Sequence, residues 1–331
     1  IARSRLEALL AASRGKHVVV IGDAMLDVYL RGDADRISPE APVPVVRVKD
    51  RRHALGGAAN VAQNVVALGA NATLVAAVGS DMAAGTIRNM LEAIGATPAG
   101  LVTVNRPTTT KTRVVARAQQ LLRVDEEVDH DLSGTEIETL QQAVATALAT
   151  ADALVLEDYN KGVLVPALIT AAVAAARARK IPVIVDPKYR NFFAYTGATV
   201  FKPNRRELEA ALGAAVDVDH PASLPAVVER VGAEALLLTL SERGMALIER
   251  GAAGGAPVHR IPTTAREVYD VVGAGDTVTA YLAAMLAAGA SRLEAAVVAN
   301  FAAGVEVGKS GAATVSPAEV LEAYDHHHGR A

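Results

Sequence analysis

Residues 151–185 read ADALVLEDYNKGVLVPALITAAVAAARARKIPVIV, a stretch typical of one unit of strand, helix and strand. The aliphatic run Ala153 to Leu156 predicts a buried strand, and the Ala-rich run Pro166 to Ala178 predicts a helix. Pro182 to Val185 predicts the next strand. Because parallel strands need a long crossover connection, usually a helix, this stretch indicates a parallel α/β sheet.

The same alternation extends along the rest of the chain. Further strands are predicted at His17 to Ile21, Thr73 to Val78, Thr199 to Phe201 and Ala235 to Thr239. Further helices are predicted at Ala58 to Leu68, Ala83 to Ile94, Thr135 to Ala149 and Arg206 to Leu212. We therefore expect an α/β fold: a doubly wound, mostly parallel sheet with helices on both faces.

Two β-rich segments, Tyr29 to Lys49 and Val102 to Val124, interrupt this alternation. Their alternating polarity and their prolines exclude crossover helices. We expect them to form a small accessory sheet, a lid over the carboxyl ends of the main strands and a surface for a homodimer. With no internal repeat or linker, one domain is predicted over residues 1–331, with the lid at about 29–49 and 102–124.

Composition excludes several classes of function. The chain has 331 residues and a net charge of −3, so it lacks the basic field that a nucleic-acid partner needs. The absence of Cys excludes a cysteine nucleophile and a thiolate metal site, and it fits a cytoplasmic location. The longest apolar stretch, Thr277 to Ser291, is shorter than the roughly 20 residues of a membrane span, so no membrane partner is expected.

The strongest candidate site is Asp270-Val271-Val272-Gly273-Ala274-Gly275-Asp276-Thr277, which precedes an apolar helical run. Small residues at a helix N-terminus leave backbone N–H groups free, and the helix dipole adds partial positive charge, which together favour an anion. Asp276 would be a poor phosphate ligand there, but it could take the proton of a hydroxyl that attacks a bound phosphate. A helix-capping Asp after a Gly-rich turn gives the same local sequence.

A second glycine motif, Gly56-Gly57-Ala58-Ala59-Asn60, precedes the first predicted long helix. Paired glycines allow close approach of the backbone to a ligand, and Asn60 could offer its amide to a sugar hydroxyl, although tight helix packing would explain the glycines equally well. In order and separation, this motif and the Gly-Ala-Gly-Asp segment resemble the two signatures of the ribokinase (PfkB-type) sugar kinase family. The ribokinase-like fold of that family agrees with the fold predicted above.

This resemblance implies roles for individual residues. Asp276 would be the general base, and the amides of Gly273, Ala274 and Gly275 would form the anion hole for the transferring phosphate. The resemblance also implies ATP with Mg²⁺, and it allows a monovalent cation such as K⁺. The implied ATP-binding residues are Asn204, Arg205, Arg206 and Glu207 of an Asn-x-x-Glu motif, Thr239 and Gly244 of a phosphate loop, and Asn300 and Ala303 of an adenine-side helix. Glu207 would hold Mg²⁺ through water, unless it is an ordinary carboxylate on a helix surface.

Other segments resemble one branch of the family, the heptose 7-phosphate kinases of lipopolysaccharide biosynthesis. They are Ile37 to Val46, Thr109 to Val114, Gln119-Gln120-Leu121, Asp158 to Gly162, Asp186-Pro187-Lys188 and Glu267 to Asp270. This resemblance implies phosphorylation of the anomeric C1 hydroxyl of D-glycero-D-manno-heptose 7-phosphate to the 1,7-bisphosphate, on the route to ADP-heptose and the lipopolysaccharide core. Without a His-x-Gly-His motif, the chain is expected to be the stand-alone form of the kinase.

Sugar recognition is expected from Asp23 and Asp27, which follow the first strand, together with Gly57 and Asn60. Asp27 could instead cap a turn. The distal phosphate of a sugar phosphate also needs a cation. Candidates are Lys161, Lys188, Arg113 and Lys111, with Lys161 preferred because it lies in a Gly-flanked loop after a strand. Any of these basic side chains could instead be solvated.

Three alternatives remain at this point. The first is a kinase of the same family for another sugar, such as ribose, fructose 1-phosphate or adenosine. The second is a nicotinamide oxidoreductase, although the first strand continues Ile21-Gly22-Asp23-Ala24-Met25 and lacks Gly-x-Gly-x-x-Gly. The third is a non-enzymatic sugar-binding regulator, against which the intact anion-hole segment argues.

Overall fold

The computed structural model describes residues 1–117, 119–219, 224–251 and 258–329. The strands in this part of the chain are β1 (His17–Gly22), β2 (Ala24–Ile37), β3 (Pro44–Gly57), β4 (Asn71–Val78), β5 (Thr97–Thr103), β6 (Thr110–Ala116), β7 (Gln119–Glu126), β8 (Ala153–Glu157), β9 (Val183–Asp186), β10 (Val200–Phe201), β11 (Ala235–Thr239), β12 (Met245–Glu249) and β13 (Val258–Ile261). The helices are α1 (Arg3–Ala12), α2 (Ala58–Ala67), α3 (Met82–Ala93), α4 (Thr135–Leu148), α5 (Pro166–Ala178), α6 (Arg205–Leu212), α7 (Leu224–Val231), α8 (Ala274–Ala287), α9 (Arg292–Glu306) and α10 (Pro317–His327).

The main sheet has the strand order β13-β12-β11-β10-β9-β8-β1-β4-β5. All neighbours from β5 to β11 pair in parallel, and only the pairs β11–β12 and β12–β13 are antiparallel. Along β1, Val18 and Val20 enter one apolar core, whereas Val19 and Ile21 enter the other, because successive side chains point to opposite faces. Helices cover both faces, which confirms the predicted mostly parallel α/β fold.

All six predicted strands and all five predicted helices of the alternating pattern are present. The sequence analysis missed strand β5, whose residues Pro98 and Gly100 are unfavourable in a strand interior. An edge position tolerates them, since β5 pairs only with β4. The expected accessory segment at 102–124 therefore starts too early: Val102 and Thr103 end a strand of the main sheet.

The accessory sheet has the order β3-β2-β6-β7 and extends further than expected, since β2 begins at Ala24 and β3 runs to Gly57. Gly57 has a φ of +55°, and a Cβ there would lie 2.4 Å from the carbonyl oxygen of Asp23. Glycine is therefore required where β3 enters α2, because the two chain segments touch. This contact anchors the small sheet to the carboxyl end of β1.

Within the described part of the chain, no helix has the length and apolar character to cross a membrane.

Candidate active site

Asp276 lies in the first turn of α8, and its side chain is buried. Its Oδ2 accepts a hydrogen bond of 2.6 Å from Nδ2 of Asn60, and its Oδ1 accepts one of 2.9 Å from the hydroxyl of Tyr159. The N-cap residue is Gly273, with a φ of +95°, so the simple capping explanation of Asp276 is wrong. Burial raises the pKa of Asp276 to about 6, against the two hydrogen bonds, which favour the charged form.

The helix start leaves its backbone donors beside this carboxylate. The amides of Gly273, Ala274 and Gly275 belong to the first turn, and no side chain caps them. A Cβ on Gly273 would lie 3.1 Å from Cα of Ala312, so the turn needs glycine for its positive φ and for space. The arrangement provides an anion site and a carboxylate acceptor of protons side by side.

Asn60 lies in α2 and is also held by a neighbour in that helix. Nδ2 of Asn64 donates to Oδ1 of Asn60 at 3.3 Å, and the hydroxyl of Thr277 donates to Oδ1 of Asn64 at 3.2 Å. The Asn60 amide, predicted to contact sugar, is therefore already bonded to the base and to Asn64. One N–H of its NH₂ group is not used in these bonds.

Asp23 is buried and serves the backbone of a loop. Its carboxylate accepts hydrogen bonds from the N–H groups of Tyr159 at 2.8 Å, Lys161 at 3.0 Å and Val163 at 3.2 Å. Burial raises the pKa of Asp23. These bonds hold the loop 158–163, and the expected contact of Asp23 with sugar stays a prediction.

The expected distal-phosphate cations each have an acidic partner. Nζ of Lys161 and Nζ of Lys111 lie 2.8 Å from opposite oxygens of Glu127, which follows β7. Arg113 lies 2.6 Å from Oδ1 of Asp27, so the alternative in which Asp27 caps a turn is not needed. Each of these cations has further N–H donors beyond those that its acidic partner accepts.

Lys188 forms an ion pair with Glu207, and its Nζ lies 5.0 Å from the ring centroid of Tyr159. The other oxygen of Glu207 accepts from the N–H of Asn204, and Oδ1 of Asn204 accepts from the N–H of Glu207. The Asn-x-x-Glu motif is thus a capping box at the start of α6. Arg205 pairs with Glu209 at 2.8 Å, and Arg206 is exposed.

Sequence reasoning missed a buried charged cluster beneath the helix start. One carboxylate oxygen each of Glu157, Asp186 and Asp276 lie within 4.8 Å of one another, and Nζ of Lys202 lies 2.7 Å from Asp186. Neither oxygen of Glu157 has a hydrogen-bond partner among the described residues. Burial beside these carboxylates raises the pKa of Glu157. A signal exists in the sequence, since β8 and β9 each end their aliphatic run with an acidic residue.

On the other side of the helix start lies a cavity of about 370 Å³. It is lined by four predicted ATP-binding residues and by two residues of the predicted anion hole: Thr239, Gly244, Asn300, Ala303, Ala274 and Gly275. Apolar walls that the sequence analysis did not identify complete it: Met245, Val268, Val271, Val278 and Val307. Asn300 donates from Nδ2 to the carbonyl oxygen of Pro262 at 2.8 Å, which fixes the edge of the cavity.

Solved structures with a similar fold are sugar kinases. The ribokinase of Arabidopsis thaliana, complexed with ribose and ATP, has a TM-score of 0.71 at 22% identity and covers 93% of this chain and 98% of its own. Phosphofructokinase-2 of Escherichia coli, in complex with potassium, has a TM-score of 0.75 at 20% identity and covers 94% of this chain and 99% of its own. At these identities the likeness concerns the fold.

Curated relatives are more similar in sequence. The bifunctional protein HldE of Pelobacter propionicus is 48% identical over 327 residues, or 97% of this chain and 66% of the relative. That of Aeromonas salmonicida is 47% identical over 310 residues, or 92% of this chain and 63% of the relative. The chain thus spans slightly less than two thirds of the length of these relatives.

The model of the pfkB family of carbohydrate kinases matches residues 15–319. This match covers both signature segments, Gly56 to Asn60 and Asp270 to Thr277, and the residues on both sides of the site. It identifies an enzyme, a sugar kinase, in place of the oxidoreductase and the regulator that the sequence left open. The chain belongs to the pfkB family of carbohydrate kinases.

Proposed function

We propose that this chain transfers the γ-phosphoryl group of ATP to the anomeric C1 hydroxyl of D-glycero-D-manno-heptose 7-phosphate. The product would be the heptose 1,7-bisphosphate, on the route to ADP-heptose and the lipopolysaccharide core. The observation that carries the proposal is Asp276, which lies in the first turn of α8, where no side chain caps the helix, between an apolar cavity and a group of charged side chains. The segments that resemble heptose 7-phosphate kinases supply the choice of sugar.

The proposed mechanism is an in-line transfer. Asp276 accepts the proton of the attacking hydroxyl, and a pKa of about 6 leaves it mostly ionised near neutral pH while keeping it basic. The amides of Gly273, Ala274 and Gly275 face the charge that develops on the transferring phosphoryl group. ATP occupies the cavity that Asn300 and Ala303 line. No covalent enzyme intermediate is required.

Mg²⁺ is proposed as the partner of ATP, and the charged cluster fits such an ion. Carboxylate oxygens are the ligands that this hard cation prefers, and Glu157 offers two oxygens without hydrogen-bond partners in the described chain. Asp186 and Glu207 could reach it through water, although Glu207 must then share its oxygen with Lys188. When bound, the ion would neutralise phosphate charge. Dependence on K⁺ is a separate proposal, to be tested by omitting this ion.

Lys161 is proposed to bind the distal phosphate of the sugar. In its ion pair with Glu127, the ammonium is held on the loop that also carries Tyr159, whose hydroxyl reaches the base. Lys supplies a compact charge suited to a phosphate, and its three N–H donors allow it to bind a phosphate as well as Glu127. Lys111, on the same carboxylate, would assist.

A homodimer through the small sheet is also proposed. Five exposed apolar side chains lie on this sheet and its loops: Ile37, Val43, Val48, Leu122 and Val124. Strands β3 and β7 are the edges of the small sheet, and the small sheet of a second subunit would cover their apolar side chains.

The experiment is a substrate panel with ATP. It comprises heptose 7-phosphate, the unphosphorylated heptose, ribose, fructose 1-phosphate and adenosine, each assayed for formation of ADP. Phosphorus NMR then locates the new phosphate. We expect turnover of heptose 7-phosphate alone, with the new phosphate at C1. Faster turnover of any other acceptor would replace the proposal by the runner-up, a family kinase for a different sugar. Transfer to another hydroxyl of heptose 7-phosphate would overturn the assignment of C1.

A further inference from the structure

Tyr159 is the one side chain on the loop 158–163 that touches the base in the described structure. Its hydroxyl donates to Oδ1 of Asp276 at 2.9 Å, from the side opposite to the bond of 2.6 Å that Asn60 makes to Oδ2. Each carboxylate oxygen can accept a second hydrogen bond. The two donors therefore fix the plane of the carboxylate and still leave it able to accept the proton of a sugar hydroxyl.

Tyr159 is held by two contacts, one through its backbone and one through its ring. The N–H of Tyr159 donates to Oδ2 of Asp23 at 2.8 Å, which fixes the start of the loop. Nζ of Lys188 lies 5.0 Å from the ring centroid, a geometry in which a cation is attracted to the aromatic face. A side chain held in this way can orient its hydrogen-bond partner.

We infer that Tyr159 is a positioning residue for the proposed base: its hydroxyl holds the Asp276 carboxylate in the orientation that receives the proton of the sugar hydroxyl. The inference rests on the proposed function, since it assigns Asp276 the role of base. Tyr159 is not among the residues that line the nucleotide cavity. Its loss should therefore affect the transfer step and leave the binding of ATP unchanged.

The same loop carries the cation proposed for the distal phosphate. The N–H of Lys161 also donates to Oδ2 of Asp23, at 3.0 Å. The Tyr159 hydroxyl, which contacts the base, and the Lys161 ammonium, proposed to bind the substrate, thus lie on one loop. The buried carboxylate of Asp23 holds this loop. Binding of a phosphate at Lys161 would stabilise the loop conformation that places the Tyr159 hydroxyl on Asp276.

The chain offers a matched control for this inference. Tyr195 is buried, whereas Tyr159 is half-buried, and it also donates its hydroxyl to a carboxylate, Oδ2 of Asp158, at 2.7 Å. Tyr195→Phe and Tyr159→Phe remove the same atom from the same kind of bond, and both bonds involve the loop. Only the Tyr159 bond ends on Asp276.

The test compares both variants in kcat, in KM for ATP and in KM for the sugar phosphate. We expect Tyr159→Phe to lower kcat about tenfold, the value of one hydrogen bond to a charged group, with both KM values within about twofold. We expect Tyr195→Phe to change kcat by less than about twofold. An equal loss of kcat in both variants, or an unchanged kcat in Tyr159→Phe, would overturn the inference. Tyr159→Met, which fills the ring space with a flexible apolar chain, replaces Tyr159→Phe if that variant does not fold.

A double-mutant cycle separates positioning from general loop structure. In single-turnover assays, Tyr159→Phe should cause no further loss when it is added to Asp276→Asn, because the hydroxyl acts through the base. Additive losses would show that Tyr159 acts elsewhere. Wild-type enzyme is measured in the same series. If it does not turn over heptose 7-phosphate, the proposed function fails, and the cycle is run on the acceptor that the panel identifies.

Discussion

The two sides of the α8 N-terminus are built from different chemistry. On the side proposed for the sugar, charged side chains are linked to one another, as in the pairs Lys161–Glu127 and Arg113–Asp27. On the side proposed for the nucleotide, valines and small residues surround a cavity of about 370 Å³. A charged wall discriminates by ionic contacts, whereas an apolar cavity discriminates by shape. Substitutions on the two sides should therefore affect different substrates, and only a change between them should affect transfer itself.

Asp276→Asn should have the largest effect, because Asp276 lies between the two sides. The amide keeps the shape and can still bond to its neighbours, but it cannot take a proton at neutral pH. We expect kcat to fall at least 100-fold, since general-base catalysis contributes roughly 10²-fold or more. Binding of ATP and of sugar phosphate should change little, as measured by calorimetry. Single-turnover transfer within about threefold of wild type would remove Asp276 from the role of base.

Lys161→Ala should sharpen the comparison from the sugar side. Loss of a charge-assisted contact is worth about 1.5–3 kcal/mol, so we expect KM for heptose 7-phosphate to rise about ten- to a hundredfold while KM for ATP is unchanged. The ratio of kcat/KM for heptose 7-phosphate to kcat/KM for unphosphorylated heptose should fall as well.

Lys16→Ala is the matched control, because Lys16 forms a similar ion pair with Asp152 just before β1, at the amino end of the main sheet. Neither KM should move in that variant. If Lys161→Ala affects phosphorylated and unphosphorylated heptose equally, Lys161 acts through the structure of its loop. The phosphate contact would then pass to Lys188 or Arg113.

Ala303→Leu should act from the nucleotide side with a smaller effect. Ala303 lines the cavity from α9, and three added carbon atoms would occupy space that ATP needs. Overpacking of this kind costs about 1–3 kcal/mol, so we expect KM for ATP to rise about tenfold. KM for the sugar phosphate serves as the internal control. A rise in both KM values would show that the two sides are not independent.

The sequence was sufficient for what depends on local pattern. The strand and helix at 153–178 follow from their apolar pattern, and the start of α8 follows from the Gly-rich segment that directly precedes an apolar helical run. Tyr159 and Glu157 were missed as site residues for a different reason. Their importance depends on Asp276, more than a hundred residues away, and no local pattern encodes that contact.

Residue type alone did not show which contacts some assigned residues make within the protein. Asp23 follows a strand, as a sugar ligand would, and its carboxylate also accepts hydrogen bonds from three backbone N–H groups of the 158–163 loop. The sequence could not predict these bonds, because the loop reaches Asp23 only through tertiary packing. Asn204 and Glu207 have a spacing that suits both a nucleotide motif and a capping box; the structure contains the capping box, and the nucleotide role stays a prediction.

Substitutions of the exposed apolar residues of the small sheet should have the smallest effect on kcat, because these residues are proposed to contact a second subunit and not the substrates. Leu122 and Val124 share one face of β7, because side chains alternate along a strand, and both are about half exposed. We expect a dimer in solution, measured by light scattering, and we expect Val124→Asp to shift it toward monomer while kcat stays within about threefold.

Met82→Asp is the control for that shift, because Met82 is a fully exposed apolar side chain on α3, outside the small sheet. It should leave the dimer intact, because the small sheet is proposed to hold the subunits together and Met82 lies outside it. If the protein is a monomer, the small sheet can still be a lid, and hydrogen exchange of residues 29–49 should then slow when sugar phosphate binds. A monomer whose exchange in this segment is the same with and without sugar phosphate would contradict both roles, and the apolar side chains of β7 would need another partner.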